Sequence, residues 1–459
     1  ARMNRLLILL ILFGSQIGLS DFLLLPVYAA RYGELTFLAL YAIFKLVIVL
    51  PLLHAELVAG RHYRITPFEW VQTGRLGPLA PVVLSALVLA VICVVALTLH
   101  NASWTLAIAS DALRGGLADF DGLDRILYWY ELGADQVHLS RWIVLQVGIL
   151  AVLAWFAWYG MAFAYAVALP LCLLFIMMQI PQSGALLDAW SWGEVTAEGV
   201  QQALKYALLS SVAGFLVWYL VGTRLPQTLP TGYWVLSVQL FDLWLGLSIV
   251  SAVFPGLTII PASSGDAGLV LQGLVEQIAR GGDGVIQLRL FMLVAAVIGM
   301  LSSVPLLLLI SLSGSGQTRR GGLLLALLAA ALLALVLMVS VQVESALTWR
   351  GQPFSELLSG FSYSLVVPLV ALMISWGVGW HLPPNQVLKQ VNPRVGGRYL
   401  AWRASLKFVI PTALALTFTR DSLGLSGASL SEILGVIALL AVLLQLARWI
   451  RRQAIYPLD

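Results

Sequence analysis

The sequence predicts an all-α integral membrane protein with twelve transmembrane helices, and three observations lead to this prediction. Hydrophobic residues make up 60% of the 459 residues and charged residues only 10%, whereas a soluble domain carries about 25% charged residues. The mean hydropathy is +0.93, so the chain has too little polar surface to cover a water-soluble globule. Apolar stretches of about 20 residues recur along the chain, and each is long enough to cross ~30 Å of hydrocarbon.

Twelve apolar runs can be placed in order along the chain. The first half contains spans one to six, at residues 6–30, 35–57, 79–106, 142–158, 161–180 and 200–221. The second half contains spans seven to twelve, at residues 234–259, 285–312, 322–343, 357–380, 400–418 and 430–450. Spans four and five are separated by little more than Tyr159 and Gly160, which predicts a tight hairpin. Span one is not expected to be a cleaved signal peptide, because it lacks a small-residue cleavage site.

The loop charges predict the orientation of the chain, since cytoplasmic loops carry an excess of Lys and Arg. One alternate set of loops holds most of the basic residues, namely Arg2, Arg5, Arg61, Arg64, Arg75, Arg224, Arg319, Arg320, Lys389, Arg394, Arg398, Arg448, Arg451 and Arg452. The opposite loops are acidic or weakly charged. We therefore expect a multi-pass protein of the plasma membrane, the inner membrane in a bacterium, with both termini in the cytoplasm.

Two connections on the outer side are longer than a hairpin needs. Residues 111–141 are amphipathic and are expected to fold over the outer face, and residues 261–284 predict a short helix bounded by Gly and Ser, which would act as a lid. No boundary divides the chain, so residues 1–459 are treated as a single domain.

Span one is interrupted by polar residues in FGSQIGLSDFLLLP, residues 13–26. A helix broken at mid-membrane leaves backbone groups unpaired, which is tolerated only where they line a cavity or bind something. Span six contains a weaker version in KYALLSSVAGF, residues 205–215. Breaks in spans one and six are typical of a five-plus-five inverted repeat. We expect residues 1–180 to form the first repeat, 200–380 the second and 400–452 two additional helices.

Several stretches resemble the neurotransmitter:sodium symporter family, typified by the bacterial leucine transporter. GSQIGLSDFLLLPVYAARYGE and LPLLHAELVAGR resemble the first two helices of that family, with the glycine-rich break, the proline and the P…E…GR run at the same spacing. SWTL at 103–106, IGMLSS at 298–303 and FVIPTAL at 408–414 agree as well. The chain therefore resembles a divergent, bacterial-type member of this family.

The resemblance implies a set of site residues, carried over by position. Substrate-binding candidates are Ser15, Gln16, Gly18, Leu19, Asp21, Val94, Thr98, Ser211 and Ser302. Candidates for holding or coupling an ion are Gly14, Ile17, Asp21, Ile298, Ser302 and Lys45. Glu56 matches the glutamate that braces the unwound part of the sixth helix, and Glu356 matches the acidic member of the outer gate.

The departures from the family pattern concern ion binding and gating. Leu301 stands where a hydroxyl should precede Ser302, so we expect one sodium site to be weak or absent. Asp21 replaces a side-chain amide at the other sodium site, and near Phe241 an apolar side chain is expected in place of the amide from span seven. The gate positions are changed at Leu24, at Thr98 and near Gly316.

Three residues inside the spans bear directly on the expected function. Asp21 costs about 3 kcal/mol or more at mid-membrane, so it is a functional candidate by default; the alternative is a structural acid bonded to backbone N–H groups of the break. Lys45 either snorkels toward a polar cavity or is a counter-charge for Asp21 or Asp242. Gly18 stands where monoamine transporters carry an aspartate, which favours amino acids over simple amines.

The function expected from the resemblance is secondary active transport of a small organic solute, an amino acid or related compound, by alternating access. Sodium coupling is expected to be weakened or altered, with Na⁺ or H⁺ as the coupling ion and no other cofactor. The chain contains no phosphate loop, catalytic triad or metal motif, so neither an enzyme nor a nucleic-acid partner is expected. The alternative is a non-transporting relative that serves as a binding or assembly subunit of a membrane complex.

Overall fold

The computed structural model describes residues 5–73, 79–115, 127–128, 131–187, 191–226, 229–257, 285–311, 316–342, 348–349, 352–391 and 396–414. These residues are almost entirely helical, apart from a small antiparallel pair of strands, Thr348–Trp349 and Gln352–Pro353, and an isolated bridge between Glu34 and Trp192. Within the described part, eight helices are long and apolar enough to cross a membrane. The prediction of an all-α membrane protein is therefore confirmed.

The first five spans are present, with span one broken. Span one consists of Arg5–Gly14, Leu19–Leu23 and Leu25–Arg31, and span two of Leu35–Phe44, a π-helical turn Lys45–Val49, and Leu50–Tyr63. A short helix, Pro67–Gln72, precedes span three, Ala80–Leu113. Spans four and five are Gln136–Trp155 and Trp158–Leu187.

The second half begins with a broken span six, Ala197–Ser210 and Val217–Arg224. Span seven is Thr231–Leu257, span eight Val285–Leu301 and Val304–Ser311, and span nine Gly316–Gln342. Span ten contains Phe354–Ser359, Gly360–Val366, Val367–Trp376 and Gly377–His381, of which the second and fourth are π-helical. Pro384–Val391, Gly396–Ala404 and the π-helical turn Ser405–Val409 follow, and helix continues to Leu414. The predicted twelfth span and the predicted lid at 261–284 lie outside the described residues, so the count of twelve stays a prediction.

The hairpin between spans four and five lies earlier than the sequence indicated. The turn is made by Phe156 and Ala157, and Ala157 adopts a φ of 49°. Gly160 is already inside span five, where a Cβ would clash with the backbone carbonyl of Leu153. Gly160 therefore allows the two helices to pack closely, and the turn itself needs only two residues.

The helices pack into two groups around the broken segments. Spans one, two, six and seven contact one another, and spans three, four, eight and nine form a second set of contacts. Spans two and six approach very closely, because a Cβ on Gly60 would clash with the Tyr219 carbonyl and a Cβ on Gly222 with the Leu57 carbonyl. Small residues at such crossings allow the helix backbones to approach and pack closely in a membrane. That the first group moves against the second stays a prediction.

Candidate functional site

The break in span one is ordered by its own backbone and by a carboxylate that follows it. Ile17 donates its N–H to the Gly14 carbonyl at 3.1 Å, and Gly18 donates its N–H to Asp21 Oδ2 at 3.0 Å. Asp21 is at the third position of the resumed helix and caps the N–H that the break would leave unpaired. Gly14 is required by packing, since a Cβ there would overlap the ring of Tyr165.

The break in span six has a different backbone. Val212, Gly214 and Leu216 all have positive φ, at 52°, 81° and 61°. For the two non-glycine residues such a conformation costs about 1–3 kcal/mol each and persists only where surrounding structure enforces it. The enforcing contact is the fully buried Glu56 of span two, whose Oε1 accepts the Gly214 N–H at 2.7 Å.

A buried polar network joins the two breaks. Gln16 donates from Nε2 to the Ser211 carbonyl at 3.3 Å and to Ser15 Oγ at 3.3 Å. Gln239 of span seven donates from Nε2 to Gln16 Oε1 at 2.9 Å, and the Ser211 hydroxyl donates to Gln239 Oε1 at 3.5 Å. All four side chains are almost fully buried. The structure thus brings Ser15, Gln16 and Ser211 together and adds Gln239, which the sequence reasoning missed.

A second cluster, charged and buried, lies beside the first. Asp21 Oδ1 accepts the hydroxyl of Tyr206 at 2.7 Å. Lys45 forms an ion pair with Asp242 of span seven, and its ammonium lies 5.1 Å from the centre of the Tyr41 ring. Lys45 and Asp242 are 0% and 1% exposed. We call Asp21, Lys45 and Asp242 the charged triad.

The expected loss of an amide from span seven needs correction. Phe241 is apolar and packs edge-to-face on Phe13, with ring centres 5.1 Å apart. The residues that reach the breaks flank it: Gln239 bonds to Gln16, and Asp242 pairs with Lys45. Their spacing of three residues puts both on one helical face, and polar residues inside a span are functional candidates. That signal was available in the sequence.

Span eight is itself interrupted beside span one. Its helix stops at Leu301 and resumes at Val304, and Pro305 has no N–H to donate to the Leu301 carbonyl. The Ser302 hydroxyl donates to the Gly299 carbonyl at 2.9 Å, and the Ile298 carbonyl accepts the Ser302 N–H at 2.8 Å. Span eight packs on span one at Gly299, where a Cβ would lie 3.0 Å from the Leu19 side chain. The side chain of Leu301 is buried and contains no oxygen.

The other predicted positions are less closely linked to the breaks. The Thr98 hydroxyl donates to the Val94 carbonyl one turn earlier at 2.8 Å, so neither residue is hydrogen-bonded to the breaks. Glu356 is exposed in the first turn of its helix. Tyr206 and Tyr41, with ring centres 5.3 Å apart, were not predicted and pack directly against the charged triad.

Comparison with known proteins agrees with this architecture. No family model matches the chain. The chain is 22% identical over 445 residues to a protein described as the uncharacterized sodium-dependent transporter YhdH of Bacillus subtilis (strain 168), covering 88% of this chain and 94% of that protein. The crystal structure of MhsT in complex with L-phenylalanine superposes with a TM-score of 0.83 at 18% identity, covering 92% of this chain and 99% of that one.

Two broken helices joined by buried polar groups, in an all-α membrane protein, define the leucine-transporter fold, and the likeness to MhsT confirms it. The likeness to the sodium-dependent transporter YhdH over most of the chain agrees with the resemblance of its first two helices to the neurotransmitter:sodium symporter family. YhdH is a transporter by name, which agrees with the expectation that this chain is not an enzyme.

Proposed function

We propose that the protein is a secondary transporter of a small organic solute and that the solute is an amino acid. The observation that carries the proposal is the pair of broken helices joined through Gln16, Ser211 and Gln239, since helices broken at mid-membrane form the substrate and ion sites of secondary transporters. The likeness to a sodium-dependent transporter and to a structure holding L-phenylalanine supports this class of solute.

The space beside Gly18 supports an amino acid over a simple amine. Gly18 is half-buried, and the side-chain atoms nearest to a Cβ there would be Ser20 Oγ at 3.2 Å and Asp21 Oδ2 at 3.8 Å, both from its own segment. An aspartate at this position would place a second carboxylate beside Asp21 and repel a substrate carboxylate, whereas glycine adds no charge. The pocket residues predicted from the sequence remain the proposed lining.

We propose that transport depends less on Na⁺ than is usual for the symporter family that the sequence resembles. Gly14, Ile17 and Ile298 offer carbonyl oxygens and Ser302 a hydroxyl, but the Leu301 side chain contributes no oxygen, and a hard cation is held by oxygen ligands. The name of YhdH makes Na⁺ the first ion to test, and H⁺ the second.

Uptake into proteoliposomes tests the proposed function. Labelled amino acids, L-phenylalanine among them, would be offered with an inward Na⁺ gradient, an inward H⁺ gradient, both or neither. Accumulation above equilibrium under any gradient is expected, and Gly18→Asp, which fills the space beside the break with a carboxylate, should abolish it. Tight binding with no accumulation under every gradient would instead favour a non-transporting subunit, and neither binding nor uptake would refute the proposal.

The proposed orientation is both termini in the cytoplasm. Single cysteines at Thr73, before span three, and at Ala134, before span four, would be placed in a background lacking Cys93 and Cys172. In right-side-out vesicles an impermeant thiol reagent should modify Ala134→Cys only, and modification of Thr73→Cys alone would reverse the orientation.

A further inference from the structure

We propose that Lys45 is a built-in cation, whose ammonium pairs with the carboxylate of Asp242 close to Asp21 and keeps this place closed to inorganic cations. This inference concerns ion use at the site described under the proposed function and rests on it for its meaning in transport. Its geometric basis and its test are independent of uptake.

The three charges come from three different spans. Asp21 belongs to span one just after its break, Lys45 to span two and Asp242 to span seven. Lys45 contacts Asp242 directly, and it lies over the Tyr41 ring, which packs on Tyr206, the hydroxyl donor to Asp21. None of the three side chains is more than 1% exposed. An ammonium buried in this way is held by its carboxylates and not by water.

The helix around Lys45 is shaped to deliver the side chain. A π-helical turn, Lys45–Val49, begins at this residue within the otherwise α-helical span two. Such single turns insert one extra residue and occur often at functional sites. The Tyr41 ring, one turn earlier, lies 5.1 Å from the ammonium and contributes a cation–π contact. The local geometry therefore favours a cation at this point independently of the two acids.

Without Lys45, the two buried carboxylates of Asp21 and Asp242 would lose the ammonium that balances their negative charge. Asp21 would keep the Tyr206 hydroxyl and the Gly18 N–H, whereas the ion pair of Asp242 would be lost. Breaking a buried pair by removing one partner is strongly destabilising, because the remaining charge is uncompensated. A small cation from solution can restore the balance, so the empty place should become a binding site.

A consequence for transport follows from the covalent attachment of the ammonium. A cation that cannot leave the protein cannot be exchanged between the two sides of the membrane. The triad therefore cannot add an inorganic cation to the coupling stoichiometry, and a proton is the one ion that its three groups can still exchange. Any coupling to Na⁺ must come from another place, such as the oxygens near Ser302.

The test uses thermal unfolding of the purified full-length protein in detergent, at constant ionic strength, in choline, Na⁺ or ethylammonium chloride. The parent protein should unfold at the same temperature in all three salts. Any stabilisation by Na⁺ that is equally present in Asp242→Asn arises at another site and is subtracted. Lys45→Ala should unfold several degrees lower in choline and regain most of the loss in Na⁺ or ethylammonium. Lys45→Ala with Asp242→Asn should lose most of that salt dependence.

Lys407 provides a matched control. It also lies in a π-helical turn of a span and contacts an aromatic ring, with its ammonium 4.6 Å from the centre of the Trp380 ring. Lys407→Ala should show no difference between the three salts. If Lys45→Ala cannot be purified, Lys45→Met with Asp242→Leu replaces the pair by apolar groups and should fold without salt dependence.

Three results would overturn the proposal. One is a Lys45→Ala protein that unfolds at the same temperature in all three salts. Another is Na⁺ stabilisation of the parent that Asp242→Asn abolishes, since an inorganic cation would then already occupy the triad. The third result applies if Lys45→Met/Asp242→Leu is the variant that can be purified. Selective stabilisation of this double variant by Na⁺ would then overturn the proposal. Because unfolding is measured without uptake, a protein that shows the expected salt dependence but transports nothing would refute the proposed function alone.

Discussion

The breaks in spans one and six perform the same geometric task by different means. Span one is interrupted by polar residues, and its unpaired Gly18 N–H is accepted by Asp21 of the same segment. Span six is interrupted by a strained backbone, and its Gly214 N–H is accepted by Glu56 of another helix. The first break is therefore stabilised locally, whereas the second depends on span two being in place. A break held from outside should be the more sensitive to a single distant substitution.

Glu56→Leu is expected to produce the largest effect. It leaves the buried Gly214 N–H without an acceptor, which costs about 1–3 kcal/mol for the unpaired group, and it releases the backbone with positive φ at Val212 and Leu216. We expect a fall of several degrees in the unfolding temperature in detergent, measured by thermal shift. Glu56→Gln, whose amide oxygen can still accept the bond, should lose much less. Equal stability of the two variants would contradict the role of Glu56.

Alanine at the two glycines separates strain from function. Gly214→Ala is expected to cost about 1–3 kcal/mol, because a side chain is disfavoured at a positive φ and its Cβ would lie 2.8 Å from the Val367 carbonyl. Gly18 has a φ of −127°, and the nearest atom to an added Cβ would be the Ser20 hydroxyl at 3.2 Å, which can rotate away, so Gly18→Ala should leave the unfolding temperature nearly unchanged and weaken solute binding. Thermal-shift and solute-binding measurements on both variants check this prediction. A large fall in unfolding temperature for Gly18→Ala, with little change for Gly214→Ala, would contradict the comparison.

Substitutions of Asp21 test whether the carboxylate that caps the break in span one also takes part in solute binding. Asp21→Asn keeps an oxygen that can accept from Tyr206 or Gly18, so the fold should survive, but it removes a titratable group and should change the pH dependence of solute binding. Asp21→Leu removes both acceptors and should abolish binding. Tyr206→Phe, which deletes one donor to the same carboxyl, is the control for the hydrogen bond alone. Identical pH profiles for the parent and Asp21→Asn would leave Asp21 a purely structural cap.

The smallest expected effect concerns span eight, which packs on the break of span one. Leu301→Thr would add a hydroxyl beside Ser302 and should increase the stabilisation of the protein by Na⁺, measured as the shift in unfolding temperature between Na⁺ and choline. Leu301→Val is the control, because valine matches threonine in shape but has no hydroxyl group. Strong stabilisation of the parent by Na⁺ that requires Ser302 would show that this site is complete without the added hydroxyl.

The sequence alone predicted the features that depend on local composition. The apolar runs predicted a helical membrane protein, because a continuous run of about 20 apolar residues crosses ~30 Å of hydrocarbon as a helix, which satisfies its own backbone groups. The glycines and polar residues of 14–18 and 210–214 predicted the two breaks, and the spacing around Pro26 and Glu56 carried the resemblance to the symporter family. The turn between spans four and five was placed a few residues late, because Gly160 serves helix packing and not the turn.

Only the tertiary structure decided which buried polar groups meet. Gln239 bonds to Gln16 across 223 positions of sequence, and the sequence reasoning left Lys45 undecided between snorkelling and pairing with Asp21 or Asp242. Helical periodicity states which residues share a face, but not which helix that face contacts. In a bundle whose surfaces are nearly all apolar, the partner of each polar group is set by how the helices pack, and the pairing of Lys45 with Asp242 became visible only once they were assembled.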